Sequence, residues 1–531
     1  MTNHCAKTDA DVDAVTRRVL GISAYLDQVS PAGERARRRW DELASGPFYP
    51  VDQRRDELER LRRLDEQLDE ASIDRFQDEL AGVPTLERTH RRLAAGETLR
   101  DADFFEIKRF LYYAVSLLEA ADGLDGLPGP DAEVTDVFRG AMGTIHPGHA
   151  WSTRFHLADE LDPKLERGRA KLRTIRRRTK ERRKELEARV VDDRGGSFDI
   201  HGRFRPPEEA DEIDDDRLSL VDGWYRLDDD ELRKLDDHRQ QLLDRVLSLE
   251  HDQRRRLTSF VEDIADHLAD INEKLTDFDL RLARIELRRA VDGCWPGDAD
   301  EDRCWLSVTG GRDPVLVEAM GRDAVQPVDV GLDAAGTVVL GPNMGGKTAL
   351  LRLVGIVQWC AAMALPVPAE ECRVDQRERI VYLGGEQPDQ PSTDRGLSSF
   401  GREVRRFVEF WETGDSTLWL LDEPCRGTHP EEGRRLAAEI AAERIERGDV
   451  VVMATHFPGL AEETGFTRLR IAGLEADDQG LDELLDTSTM DEESLQQALG
   501  QLMDYRVVED PDGRVPRDGR AIARALGLEL D

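Results

Sequence analysis

The stretch Val338-Val339-Leu340-Gly341-Pro342-Asn343-Met344-Gly345-Gly346-Lys347-Thr348-Ala349-Leu350-Leu351 decides how this chain is read. A short β-branched run enters a glycine-rich turn, Lys-Thr closes the turn, and a helical pattern runs on from Leu350 through Trp359. This is G-x-x-x-x-G-K-[ST] in the setting of strand, loop and helix that the pattern requires. Glycines let successive backbone N–H groups turn inward around phosphate oxygens, where a Cβ would collide. The helix opening near Lys347 directs its positive end at the same phosphates. The spacing predicts that Gly341, Pro342, Asn343, Met344, Gly345, Gly346, Lys347 and Thr348 hold a nucleotide. Lys347 is expected to reach the β- and γ-phosphates of ATP, and Thr348 to offer its hydroxyl to Mg²⁺.

Leu418-Trp419-Leu420-Leu421-Asp422-Glu423 supplies the matching half. Four apolar residues predict a buried parallel strand, and the carboxylates fall at its C-terminal end, where open α/β sheets bind ligands. Asp422 suits contact with Mg²⁺, direct or through water, and Glu423 suits positioning and polarising the attacking water. A third strand, Val450 to Thr455, ends in His456, which is placed to sense the γ-phosphate. Singly, each segment reads as a core strand with a solvated end; in this order the three describe an ATPase.

With 531 residues the chain has room for three or four domains. It carries 111 acidic against 75 basic residues, a formal net charge of −36, and arginine far outnumbers lysine. Such a surface stays hydrated in high salt, which is halophile-like, although a GC-rich genome also trades lysine for arginine. A globally basic nucleic-acid binder is excluded, but a local basic patch is not. The six cysteines are scattered without CxxC pairing, so neither a zinc site nor a disulfide framework is indicated. There is no signal pattern at the start and no apolar run of membrane-spanning length, so the expectation is a cytoplasmic protein with no membrane association.

Along the chain, residues 1–150 read as a helical lever or core region, with Leu58, Leu61, Leu64 and Leu68 at near-helical spacing and an apolar helix around Phe104 to Val115. Residues 151–303 read as long helical arms with a small β insertion at about Asp192 to Gly223. The longest positive run of the chain lies here, from Arg167 through Arg173, Arg176, Arg177 and Arg178 to Lys184. It reads equally as a solvated helix face paired with Glu166, Glu181, Glu185 and Glu187, or as a phosphate-binding face. Leu257 to Ile285 forms an unbroken heptad stripe, predicting one long helix that pairs antiparallel with the basic one. Residues 304–471 form the ATPase domain, and 472–531 an acidic segment with a helical, dimerising end. The fold class is therefore an α/β P-loop ATPase domain of the ABC type, preceded by a largely α-helical lever and arm region.

With these residues in hand, the chain resembles the MutS family of ATPases. Gly341 to Thr348 looks like that family's phosphate loop, in which Pro-Asn-Met is distinctive. Val367-Pro368-Ala369, Ser398-Ser399-Phe400 with Glu403, Asp422-Glu423, Arg426-Gly427-Thr428 and Ala454-Thr455-His456-Phe457 follow in the family's order. The resemblance implies a homodimer or heterodimer through the ATPase domain, in which Ser398 contacts nucleotide bound by the other subunit. The helices upstream look like the family's lever and clamp. The mismatch-reading wedge, the connector domain and the nuclease motif of one subfamily are not found, and Pro424 and Cys425 replace the residues usual after the paired carboxylates.

Two functions follow. One is a dimeric DNA-binding ATPase of repair or recombination, with arms moved by ATP binding and hydrolysis and DNA contacted through Arg167, Arg173, Arg176, Arg177 and Arg178. The other is a protein-remodelling ATPase like the MutS-related proteins that reactivate aminomutases, which Met503-Asp504-Tyr505-Arg506 and the Ala521 to Leu528 helix resemble.

Overall fold

The computed structural model describes residues 11–125, 132–148, 154–207, 213–299, 304–341, 345–384, 399–412, 416–457, 459–474 and 503–510. Pro342, Asn343, Met344, Ser398 and the C-terminal helix expected at 521–530 lie outside them. The chain divides into two compact units. One comprises Met1–Asp78, Gly123–Gly126 and Thr276–Asp531, and the other Glu79–Asp122 and Leu127–Leu275.

The first unit is built on a six-stranded sheet. Its order is Arg379–Gly384, Thr417–Asp422, Val450–Ala454, Gly336–Leu340, Thr467–Leu474 and Met503–Glu509. Five strands run parallel, and Met503–Glu509 pairs antiparallel with Thr467–Leu474 at one edge. The strands are continuous apolar runs because both faces are covered. Side chains alternate between two cores. Val339, Leu418, Leu420, Val450 and Val452 share one with the helix Lys347–Ala362. Val338, Trp419, Leu421, Val451 and Met453 share the other with Ala437 and Ala441 of Pro430–Glu446 and with Phe407 and Phe410 of Ser399–Phe410. Each such side chain contributes about 1.5–3 kcal/mol on burial.

The helix Lys347–Ala362 is apolar on nearly every side, so it needs cover away from the sheet as well. The N-terminal segment provides it. Leu20, Ile22, Tyr25 and Trp40 join the same core, and Tyr25 donates its hydroxyl to the Pro366 carbonyl at 2.8 Å. The segment also protects the sheet edge. Asp11 accepts from the Ile380 amide at 3.0 Å, Val12 bridges Ile380 in parallel, and Thr16 Oγ1 accepts from the Tyr382 amide at 3.0 Å. A second, four-stranded sheet holds Gly297–Asp298, Glu371–Val374, Leu306–Gly311 and Val328–Leu332.

In the second unit, Pro163–Arg194 and Asp230–Asp263 are two long helices packed antiparallel. Asp162 caps the first from its side chain, with Pro163 at the opening position, and Asp229 caps the second. Their seam is apolar at Leu165, Leu172, Ile175, Leu186 and Val190. Charge pairs fix the register, Arg169 with Glu250 at 2.7 Å near one end and Arg182 with Asp229 at 2.9 Å near the other. Between the helices a four-stranded sheet is ordered Ser197–Phe198, Arg203–Arg205, Trp224–Leu227 and Leu218–Val221.

Two details differ from the sequence reading. The partner of the basic helix is Asp230–Asp263, whose first six turns are dominated by charge and carry few buried residues. The stripe from Leu257 to Ile285 is also split. One helix ends at Asp263, Ile264 takes φ −108° and ψ 6°, and the next runs from Ala265 to Ala290. One non-helical residue with no glycine or proline leaves the apolar spacing almost unchanged, so periodicity cannot register the break.

Candidate functional site

The parallel register aligns Gly384, Asp422, Ala454 and Val339 along one edge of the six-stranded sheet. The chain leaves each strand there, and the predicted site residues collect at that edge. Gly346 sits at φ +84°, the left-handed region that favours glycine, and the helix beginning at Lys347 follows directly. A side chain at 346 would also run into Tyr505, whose ring lies 3.0 Å from the position of a Cβ.

Lys347 is buried and donates from Nζ to the Gly341 carbonyl at 3.0 Å. The same Nζ lies 3.6 Å from Glu423 Oε1. Thr348 donates its hydroxyl to Asp422 Oδ2 at 2.7 Å. Tyr382 donates to the same oxygen, also at 2.7 Å. His456 Nδ1 contacts Glu423 Oε2, and the Glu423 amide donates to the Ala454 carbonyl at 2.9 Å. The five side chains expected to carry chemistry thus gather at this edge in two bonded groups, Lys347–Glu423–His456 and Thr348–Asp422, adjoining where Asp422 and Glu423 are consecutive.

The turn after Asp422 is strained. Glu423 has φ +53° and Cys425 φ +60°, in the left-handed region that costs a non-glycine residue roughly 1–3 kcal/mol. Glu403, from the helix Ser399–Phe410, stabilises the turn by accepting from the Cys425 amide at 2.7 Å. Burial raises the Glu403 carboxyl above its ordinary range and pushes the Cys425 thiol up to about 12. A thiol held in that protonated state is a packing element here, not a nucleophile.

The oxygen donors brought together, one hydroxyl and one carboxylate, suit a hard cation that keeps part of its shell for water and phosphate, as Mg²⁺ does. Gly346 precedes the helix that Lys347 and Thr348 open, and this helix start is where an anion would sit. Two tyrosines beside the site are not among the residues expected to form it. Tyr382 lies within an apolar strand that ends in glycine, and Tyr505 lies on the antiparallel edge strand beside Gly346. Their burial raises both phenols above the ordinary value.

Residues 337–500 match the family model described as MutS domain V. This stretch is similar to MutS domain V. Similar proteins point to the same family: "Endonuclease MutS2" of Halothermothrix orenii is 32% identical over 204 residues, covering 37% of this chain and 24% of the relative. The protein of the same name from Maridesulfovibrio salexigens is 31% identical over 189 residues, covering 35% of this chain and 24% of the relative. That of Shouchella clausii is 30% identical over 261 residues, covering 48% and 29%. The match spans 24% to 29% of the length of these relatives. No helix among the described residues is long and apolar enough to cross a membrane.

Proposed function

We propose that this chain is an ATP-binding and ATP-hydrolysing MutS-type protein with a P-loop domain of the ABC kind, acting on DNA in repair or recombination. One observation carries the reading. Lys347, Thr348, Asp422, Glu423 and His456 come from three separate segments and meet in two adjoining bonded groups at the C-terminal edge of a parallel sheet. The matches to MutS domain V and to proteins named Endonuclease MutS2 point the same way.

In this reading the backbone of residues 341–348 and the Lys347 ammonium hold the phosphates of ATP. Thr348 and Asp422 would hold Mg²⁺, which would neutralise charge on the phosphate oxygens. Glu423 accepts a proton from the attacking water, and His456 orients the Glu423 carboxylate through its Nδ1 contact. The Lys347–Glu423 pair keeps the two side chains apposed until phosphate competes for the ammonium. Across a dimer, Ser398 of one copy would complete the site of the other.

The DNA-facing part of the proposal rests on the helix Pro163–Arg194. Arg167, Arg173, Arg176, Arg177 and Arg178 are exposed on it. Arg173 has only a 3.7 Å contact with Asp159, and Arg177 a 4.0 Å contact with Glu181. Exposed pairs this long contribute little, so these guanidinium groups stay available to phosphate. The domain division of the sequence reading, with arms at 151–303 and the ATPase at 304–471, belongs to the same proposal. The protein-remodelling alternative gains no support from the relatives.

The test is steady-state ATP hydrolysis with and without duplex, branched and mismatched DNA at several KCl concentrations. Stimulation by DNA that is lost in an Arg176→Glu/Arg177→Glu/Arg178→Glu variant supports the reading. Hydrolysis indifferent to every DNA overturns its DNA part, and absence of hydrolysis under all conditions overturns the ATPase part.

A further inference from the structure

The Asp422 carboxylate is held by two donors, and only one belongs to the motifs that define the site. Thr348 and Tyr382 both donate to Oδ2, each at 2.7 Å. Oδ1 has no hydrogen-bond partner among the described residues. A carboxylate turns about one soft torsion and has two acceptor oxygens. Two donors converging on one oxygen from different elements fix its plane and leave the other oxygen as the available ligand.

The phenol is itself rigidly placed. Tyr382 is 3% exposed, and its amide is fixed by Thr16 Oγ1 at 3.0 Å. Two residues on, Gly384 lies opposite Asp422 in the ladder, and a Cβ there would fall 2.3 Å from the Asp422 carbonyl oxygen. The strand therefore packs against Asp422 with no side chain between them, and the tyrosine ring reaches the carboxylate from one pleat below.

From this geometry we infer that Tyr382 is a positioning residue for the Mg²⁺ site, orienting Asp422 so that Oδ1 meets the metal, and that the N-terminal segment sets its position through Thr16. The inference rests on the nucleotide-binding reading above. In that arrangement Thr348 would present a lone pair to the metal while its hydroxyl stays hydrogen-bonded to Asp422, and Tyr382 would keep Asp422 oriented when Thr348 moves. The segment around Asp11 to Thr16 is thereby tied to the metal site through one strand register.

The experiment is equilibrium binding of mant-ATP to the full chain, in saturating Mg²⁺ and in EDTA, for wild type, Tyr382→Phe and Thr16→Val. Phenylalanine keeps the ring and removes only the hydroxyl. Tyr382→Phe is expected to weaken binding in Mg²⁺ roughly three- to tenfold, with binding in EDTA within about twofold of wild type. Thr16→Val, which does not touch the site, is expected to show the same selective loss at smaller amplitude and stands in should Tyr382→Phe fail to fold. In an Asp422→Ala background, Tyr382→Phe should have no further effect on the Mg²⁺ dependence. An unchanged ratio of the two affinities, or an equal fall in both, overturns the positioning role. Wild type that binds mant-ATP in neither condition overturns the nucleotide reading itself.

Discussion

Thr348 opens the helix that follows the glycine loop, and Asp422 ends a strand 74 residues later, yet the threonine hydroxyl lies 2.7 Å from the carboxylate. This bond connects the two motifs and places both beside Glu423. It also makes the roles separable. Glu423→Gln preserves the shape of the side chain but removes its basicity, so hydrolysis should fall by roughly 10²–10⁴-fold while ATP binding in Mg²⁺ stays near wild type. A parallel loss of binding would show that Glu423 acts on the bound state and not on the water.

Lys347 carries the opposite signature. It is buried, donates to the Gly341 carbonyl and lies within salt-bridge reach of Glu423. Lys347→Ala removes the cation that the phosphates need and leaves Glu423 facing them. Mant-ATP binding should fall by at least about 100-fold, in line with the loss of a charge-assisted contact at a desolvated site. Full binding by this variant would exclude the loop as the phosphate site.

On the basic helix the measurement is a slope. Each phosphate contact that releases a counterion contributes about 0.9 to the fall of log affinity with log salt. Reversing Arg176, Arg177 and Arg178 should therefore flatten the salt dependence of duplex binding by roughly 2–3. An unchanged slope would return this face to the solvated role that the Arg177–Glu181 and Arg183–Asp236 pairs also allow.

How much of this was readable beforehand follows from what each element shows in sequence. Strands buried on both faces are apolar runs with polar ends, so Leu418 to Glu423 and Val450 to His456 declared both their depth and their functional edge. Arg379–Gly384 is just as buried but ends in glycine, and its tyrosine matters only because the register sets Gly384 against Asp422. No local pattern encodes that pairing. The helix Asp230–Asp263 was hidden for another reason. It buries only six residues along its length, since a two-helix arm offers one narrow seam, and charge dominates its composition. The basic helix was visible, but its partner was not.

A buried charge network beside the sheet gives a stability prediction. Asp449 accepts from Arg444 Nε at 2.6 Å, from the Trp419 indole at 2.9 Å and from the Thr417 amide at 2.8 Å. Arg444 is 1% exposed and stacks over Trp419 at 4.8 Å. Asp449→Ala strands a buried guanidinium, so it should cost about 3–5 kcal/mol in chemical denaturation. Replacing both charges by apolar residues of similar volume should cost less than the single change. A double variant no better than the single would mean the network holds the strand end by its hydrogen bonds alone.

Asp279 gives the pH dependence. Its carboxylate is buried and accepts from the Ala32 and Gly33 amides at 3.0 and 2.7 Å. Burial outweighs those bonds and the nearby Arg37, and raises its pKa from 3.8 to about 6. The folded state thus binds the proton more tightly than the unfolded chain does. The stabilising contribution is complete below about pH 4, declines as the unfolded carboxyl ionises, and is lost once pH passes about 6. Two pH units correspond to about 3 kcal/mol as an order of magnitude. Asp279→Asn cannot titrate, and it gives up one of the two acceptors, costing about 1 kcal/mol at every pH. Urea midpoints measured at about pH 4.5 and 7 should therefore show the variant gaining on wild type by roughly 2 kcal/mol toward the higher pH. A difference between the two proteins that is constant across this window would mean Asp279 is already ionised in the fold, with the Ala32 and Gly33 amides outweighing burial.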